Sequence, residues 1–300
     1  MEACVAAIGT FDGMHLGHRS VIEKVKRLAE EQGVLSRVIT FSNHPLSVVC
    51  PEKAPLWAYP RKNSIDFLKC HLDRVSEMNF TNELASLSAA DFFKLICERY
   101  NVRTLVMGYD NSFGSDRLST REEYVEAGRR AGVDVVFVEE LLSVKGSHMS
   151  SSVLRKAIAE WDYPLITELV EESPLYEAEV VRGNRLGHEI GFPTMNLRMP
   201  ENTVLMPDGV YLAVAYLDQD SIGNGAVSVL SVGTNPTVGD GNRRTFELHV
   251  IGKKLGDMYG ERISFIVCEK IRDIRKFNSL AELRKAIAND IKIAKRLYEE

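Results

Sequence analysis

Cysteine is sparse in this 300-residue chain and poorly spaced for cross-linking. Cys4, Cys50, Cys70, Cys97 and Cys268 are odd in number and form no CxxC pair. The pattern argues against a disulfide framework or a zinc knuckle, so reduced thiols and a cytoplasmic location are expected. No apolar stretch approaches the roughly 18–20 residues of a membrane-spanning helix, and the opening MEACVAAIGTFDG has no basic segment ahead of its short apolar run, so it does not read as a signal peptide. Lys and Arg form no basic run and the formal net charge is -5. A protein that tracks nucleic-acid phosphates is thereby disfavoured, and any anionic ligand must be met by local positive potential. Internal repeats and low-complexity segments are also missing. What is present is an ordinary globular balance, 45% hydrophobic and 26% charged, with enough material for about two domains.

The first half alternates. Val5–Ile8 reads as a buried strand before a glycine-rich loop, and His18–Gly33 carries Val21, Ile22, Val25 and Leu28 at helical spacing before a glycine stop. Arg37–Phe41, Thr104–Met107 and Val133–Val138 read as strands, Ser88–Tyr100 and Arg121–Ala131 as helices. This order predicts an α/β domain with a doubly wound parallel sheet over residues 1–172. After Pro174 the rhythm becomes β-rich, through Tyr176–Val181, Gly209–Tyr216, Val227–Val232, Thr245–Ile251 and Arg262–Val267, with one helical pattern over Ser279–Glu299. Residues 173–300 are therefore expected to form a small closed or nearly closed β-barrel with a terminal helix. That helix is expected to dock through Leu280, Leu283, Ile287, Ile291 and Ile293.

Gly9-Thr10-Phe11-Asp12-Gly13-Met14-His15-Leu16-Gly17-His18 joins the first strand to the first helix. Such a junction is where open α/β sheets bind ligands, and a helix N-terminus favours anions. Glycines 9, 13 and 17 permit tight turns and a close approach of phosphate to backbone. No Lys follows in the P-loop pattern, and no nearby Cys or third His completes a zinc set. Nucleotidyl transfer suits such a site, because imidazole N–H groups and backbone amides can stabilise charge that builds on an attacked α-phosphate. Taken alone, an HxxH pair reads equally well as surface or structural histidines. Similarly, Ser150-Ser151-Ser152 before an apolar helix reads as N-cap chemistry with Arg155 a solvated charge, or as a second phosphate seat.

The loop resembles the HxGH motif of the nucleotidyltransferase superfamily, in the longer form found in bacterial FAD synthetases. Ile39–Pro45 is similar to that family's TFDPHP, Gly108–Gly114 to its G-E-[DN]-F-x-F-G, and Ser150–Arg155 to its SSTxIR. The resemblance implies roles in nucleotide binding for Gly9, Phe11, Asp12, Gly13, Gly17, His44, Asp110, Ser151 and Arg155, with His15 and His18 stabilising the transition state. Ser42-Asn43 stands where the family has Asp-Pro, and Tyr109 where it has Glu.

A second constellation, Gly183–Asn196, offers a glycine-rich flap containing Gly187 and Gly191, a Pro193 turn, then Thr194 and Asn196 two apart. On an extended chain those two face the same side and can share Mg²⁺ or a phosphate. The plainer alternative is a turn leading into a strand. Glu247 sits on an alternating segment, Phe246/Leu248/Val250 against Glu247/His249, where a carboxylate ordinarily faces solvent. His249 reads as an outward strand residue, Phe192 and Phe246 as core, and His71 and His148 receive no functional reading.

Here the chain resembles the riboflavin kinase motif GFPTAN, with Met195 in place of Ala. The agreement continues through Asp208–Tyr211, Val232–Thr237, Arg244–His249 and Gly256–Gly260. The whole chain is thus similar to the bifunctional riboflavin kinase/FAD synthetases of bacteria, with residues 49–87 matching least. The resemblance implies riboflavin, FMN/FAD and ATP as ligands, Mg²⁺ held by Thr194 and Asn196, and Glu247 as the base for the riboflavin 5′-hydroxyl. Two other readings remain open: an enzyme with one of the two activities, and a non-catalytic flavin-binding regulator on the same folds. No nucleic-acid or membrane partner is expected.

Overall fold

The computed structural model describes residues 2–142, 148–171, 173, 175–183, 187, 190–217, 225–234, 244–253 and 255–299. Its first strand, β1 (Cys4–Ile8), is buried along its whole length, as expected of a strand covered on both faces. Parallel neighbours β2 (Leu35–Phe41) and β4 (Val102–Met107) flank it, and β3 (Arg74–Met78) and β5 (Asp134–Phe137) complete a sheet of order β3-β2-β1-β4-β5. Side chains alternate between two cores. Ala6 and Ile8 join Phe92, Phe93 and Ile96 of α5 (Ala89–Tyr100), whereas Val5 and Ala7 join Val21, Ile22 and Val25 of α1 (Leu16–Gln32). Each buried Val, Ile or Phe side chain among these contributes about 1.5–3 kcal/mol by leaving water.

Local chemistry fixes the helix ends. Gly33 closes α1 at φ 64°, a left-handed position suited to glycine. Ser88 caps α5 by accepting from Asp91 N, and Thr120 with Glu123 forms a capping box on α6 (Arg121–Arg130). The elements between residues 46 and 85 were not foreseen: α2 (Leu46–Val49), α3 (Arg61–His71), β3 and α4 (Asn82–Ala85).

In the second part, β6 (Leu175–Val181), β7 (Met195–Arg198), β8 (Gly209–Tyr216), β9 (Ala226–Thr234), β10 (Arg244–Val250) and β11 (Arg262–Arg272) close a barrel of order β10-β7-β6-β11-β8-β9. By contacts, the chain divides into one unit of Met1–Trp57 and Arg61–Leu154, and another of Ala58–Pro60 and Arg155–Glu300. The division falls inside α7 (Ser151–Glu160), so α8 (Tyr163–Leu169), which the sequence reading did not anticipate, groups with the barrel. Within that unit Trp161 Nε1 donates to Cys268 O at 2.8 Å and its ring meets Tyr211 edge-on.

Two expectations need correction. The terminal helix α9 (Leu280–Glu299) docks on the barrel as expected, with Ile291 packed beside Val210, Leu212 and Val229, but its fully buried line runs through Ala286, Asp290 and Ala294, and Leu280 is 56% exposed. Asp290 can lie on the buried line because Arg272 meets it with two hydrogen bonds of 2.9 and 2.8 Å, which satisfies its charge. Phe192 is half-buried against the His249 ring and outside the core, whereas Phe246 is buried as expected.

Candidate active sites

The first site grows out of the end of β1. The loop from Gly9 to His15 carries positive φ at Phe11 (48°), Gly13 (80°) and Met14 (44°). Glycine takes this conformation freely, but each non-glycine residue held there costs on the order of 1–3 kcal/mol unless its surroundings fix it. They do. Phe11 and Met14 are buried. Three loop carbonyls each accept from a side chain of a different element: Thr10 O from Arg61 Nη1 (3.3 Å), Asp12 O from Ser151 Oγ (2.9 Å) and Met14 O from Arg19 Nε (3.3 Å). Arg61 also donates to Thr40 Oγ1 and pairs with Glu77. Burial lowers its pKa, and the carboxylates of Glu77 and Asp12 oppose that shift.

This scaffold delivers His15 and His18 as a stacked pair, ring centroids 3.8 Å apart, with Phe11 against His18 at 5.3 Å. A Cβ on Gly17 would lie 3.1 Å from His15 Nδ1, a tight contact that glycine avoids. Burial, and then the neighbouring His15, hold the His18 pKa well below 6.5. His18 is accordingly neutral near pH 7 and offers one N–H donor. Both rings line a cavity of about 700 Å³ with Gly9, Phe11, Gly17, Asp110 and Ser150–Ser152. Pocket, helix N-terminus and neutral donors together suit a polyphosphate.

The other residues expected at this site divide. Asp12, Gly13, His44 and Arg155 are not among the cavity-lining residues. His44 Nδ1 accepts from Leu46 N and its ring meets Trp57, leaving Pro45 to face the cavity. Asn43 exchanges two hydrogen bonds with the Phe80 backbone, 2.9 and 2.8 Å, so the departure from Asp-Pro is built into the loop after β2. Tyr109 is 50% exposed beneath the Arg121 guanidinium, and Asn111 rather than Asp110 anchors its loop, donating to Ile8 O at 2.8 Å. Sequence reasoning missed His148, which lines the cavity and hydrogen-bonds Glu140. It also missed Arg61. A lone histidine and a lone arginine carry no local pattern that would have marked them.

The second site is built on the barrel. β10 pairs with β7 in a register that sets Glu247 opposite Asn196, and Thr194 Oγ1 donates to Glu247 Oε2 at 3.2 Å. Thr194, Asn196 and Glu247, 53 residues apart at the extremes, thus form one patch. Gly183 and Gly187 fit against it. A Cβ on Gly183 would fall 2.0 Å from Asn196 Nδ2, and one on Gly187 2.5 Å from Phe192 O and 3.0 Å from Thr194 Oγ1. Phe192 N closes the turn on Gly187 O at 2.8 Å, Gly191 adopts φ 84°, and Pro193 leads into Thr194. A hydroxyl and an amide oxygen beside a carboxylate are the hard donors that Mg²⁺ accepts, so the residues fit that ion. No group of three His, Cys, Asp or Glu among the described residues could hold a metal. The flap residues 184–186, 188 and 189 and the segment 235–237 lie outside the described residues.

Comparison with known proteins addresses both halves. Residues 1–153 match the FAD synthetase family model and residues 143–298 the riboflavin kinase model. A bifunctional riboflavin kinase/FMN adenylyltransferase of Pseudomonas fluorescens is 31% identical over 99% of this chain and 93% of its own length. The protein of that description from Escherichia coli K12 is 31% identical with the same coverage, and that from Bacillus subtilis 29% identical over 98% and 92%. A solved structure from Streptococcus pneumoniae, described as a macrolide-efflux protein, matches with TM-score 0.85 and 26% identity over 98% of this chain and 94% of that one. No helix among the described residues is long and apolar enough to cross a membrane.

Proposed function

Because the chain belongs to the bifunctional riboflavin kinase/FMN adenylyltransferase family, we propose how its two reactions are divided between the two sites. The enzyme makes flavin nucleotides with ATP as substrate, phosphorylating riboflavin to FMN and adenylylating FMN to FAD. We assign adenylylation to residues 1–172 and phosphorylation to residues 173–300. A cytoplasmic location fits the five free thiols.

Phosphorylation runs through the barrel patch. Glu247 takes the proton of the riboflavin 5′-hydroxyl as the oxygen attacks the γ-phosphorus, and the bond to ADP breaks in line. Mg²⁺, held by Thr194 and Asn196, supplies charge neutralisation on the phosphates. Gly183 and Gly187, whose absent Cβ atoms leave room beside Asn196 and Thr194, let backbone come close to the transferring group. The observation that carries this assignment is the Thr194–Glu247 hydrogen bond beside Asn196, which joins base and cation ligands in one patch.

Adenylylation needs no base, because the attacking FMN phosphate is already ionised. Its oxygen attacks the α-phosphorus of ATP and pyrophosphate leaves. His15 and His18 donate N–H groups to the charge that develops, and the loop amides and the Ser151 backbone N–H at the start of α7 add further donors. Chromatography of products after incubation with riboflavin, ATP and Mg²⁺, repeated with FMN, tests the proposal. FMN plus FAD from riboflavin, and FAD from FMN, is the expected result. FMN alone means adenylylation is lost, and neither product means a flavin-binding regulator.

A further inference from the structure

The β10–β7 ladder stops one step short of Thr194. Its pairs are Glu247 with Asn196 and Leu248 with Met195, so in register the next pair is His249 with Thr194. That pair is not made by the backbone, and Pro193 has no N–H to offer. The side chain of His249 makes the connection instead. Its Nδ1 lies 2.8 Å from Pro193 O, and its ring meets the Phe192 ring edge-on, centroids 5.8 Å apart. A carbonyl oxygen only accepts, so Nδ1 carries the proton. Phe192 and Pro193 are thus tied to β10 immediately before Thr194, whose hydroxyl reaches Glu247 two positions earlier on that same strand. Gly187 holds the turn from its other side through Phe192 N.

We propose that His249 is a positioning residue for phosphorylation: its Nδ1–H extends the barrel ladder by one link and fixes Thr194 where it meets Glu247 and the metal–nucleotide. The inference rests on the assignment of the kinase reaction to this patch. His249 contacts neither substrate nor reacting atoms, so its loss acts through Thr194. The turn is then free to move and metal–nucleotide binding suffers first.

The test uses the full chain and four variants. His249→Leu removes the donor and keeps bulk. KM for Mg²⁺–ATP in the kinase reaction should rise about five- to tenfold, the worth of one hydrogen bond. The Kd of riboflavin and the rate of FMN adenylylation should be unchanged. His249→Asn places an amide N–H near the position of Nδ1 and should restore KM to within about threefold of the parent, a rescue that turns on that donor alone. Parental KM in His249→Leu, or equal loss in the Leu and Asn variants, overturns the positioning role. Thr194→Ala and Glu247→Gln serve as the reference arms. If both retain parental kinase turnover, the site assignment itself fails. If they collapse while His249→Leu is inert, only the role of His249 fails.

Discussion

The two proposed sites meet different chemical demands on different scaffolds. In the parallel-sheet unit the proposed donors are a buried His15, 5% exposed, and a half-buried His18 whose charge is suppressed by desolvation. In the barrel the active carboxylate is half-buried on a strand whose alternate side chains form the core. The chemistry explains the contrast. An FMN phosphate is a ready nucleophile, so that site needs only fixed donors, and removing water strengthens them. The riboflavin alcohol must lose a proton, so the other site needs a base, and a carboxylate within hydrogen-bond reach supplies one. Construction differs accordingly. The histidine loop is held in left-handed conformations by Arg61, Ser151 and Arg19, whereas Asn196 and Glu247 are placed by ordinary antiparallel register and Thr194 joins them through its hydroxyl.

The sharpest way to break this comparison is Glu247→Gln. Gln keeps size and an acceptor but cannot take the hydroxyl proton, and a general base is worth about 10²–10⁴-fold. Kinase turnover should fall by that factor, with riboflavin affinity little changed and supplied FMN still converted to FAD. Turnover within a factor of a few of the parent returns Glu247 to the role of a solvent-facing strand carboxylate.

His15→Ala or His18→Ala comes next. Loss of one aimed donor should raise the adenylylation barrier by about 2 kcal/mol or more, roughly thirtyfold in rate, while phosphorylation of riboflavin is untouched. Equal damage to both reactions points to a folding role.

Glycine substitutions sharpen the contrast in steric terms. Gly183→Ala drives a methyl into the Asn196 amide at 2.0 Å, an overpacking worth about 1–3 kcal/mol, and should depress the kinase reaction alone. Gly17→Ala meets the His15 ring at 3.1 Å, a contact relieved by a few tenths of an ångström, and should slow adenylylation by less. Steady-state kinetics of both reactions on each variant check this order.

The smallest effect is on stability. An unfolded histidine titrates near 6.5, and His18 in the folded chain titrates well below it. Between those two values the unfolded state binds more protons. Stability therefore falls as pH drops through that window, by at most about 1.4 kcal/mol per pH unit. Thermal melting of the parent against His18→Gln should show the variant losing less stability on acidification from pH 7 to 5. A steeper acid loss in the variant contradicts a neutral, desolvated His18.

Much of this was legible in the sequence. Helical and alternating periodicities located β1, α1, α5, β8 and β10 within a few residues, and the glycine–histidine loop and the Pro-Thr-Met-Asn turn pointed to the two candidate sites. What escaped reading lacked a local pattern. β3 has the sequence RVSEM and is an edge strand with one fully buried residue, so it shows no apolar alternation. Asp290 sits on the buried line of α9 only because Arg272 neutralises it from another element. Arg61, His148 and His249 matter through partners 8 to 56 residues away, which spacing along the chain does not reveal.

The central claim is that base chemistry and histidine chemistry are housed separately and fail separately. Product chromatography on two single variants, Glu247→Gln and His18→Ala, each given ATP and Mg²⁺ with riboflavin and then with FMN, tests it most directly. The account predicts that Glu247→Gln makes FAD from FMN but almost nothing from riboflavin, and that His18→Ala accumulates FMN from riboflavin with little FAD from either. Parallel loss of both reactions in either variant would contradict it.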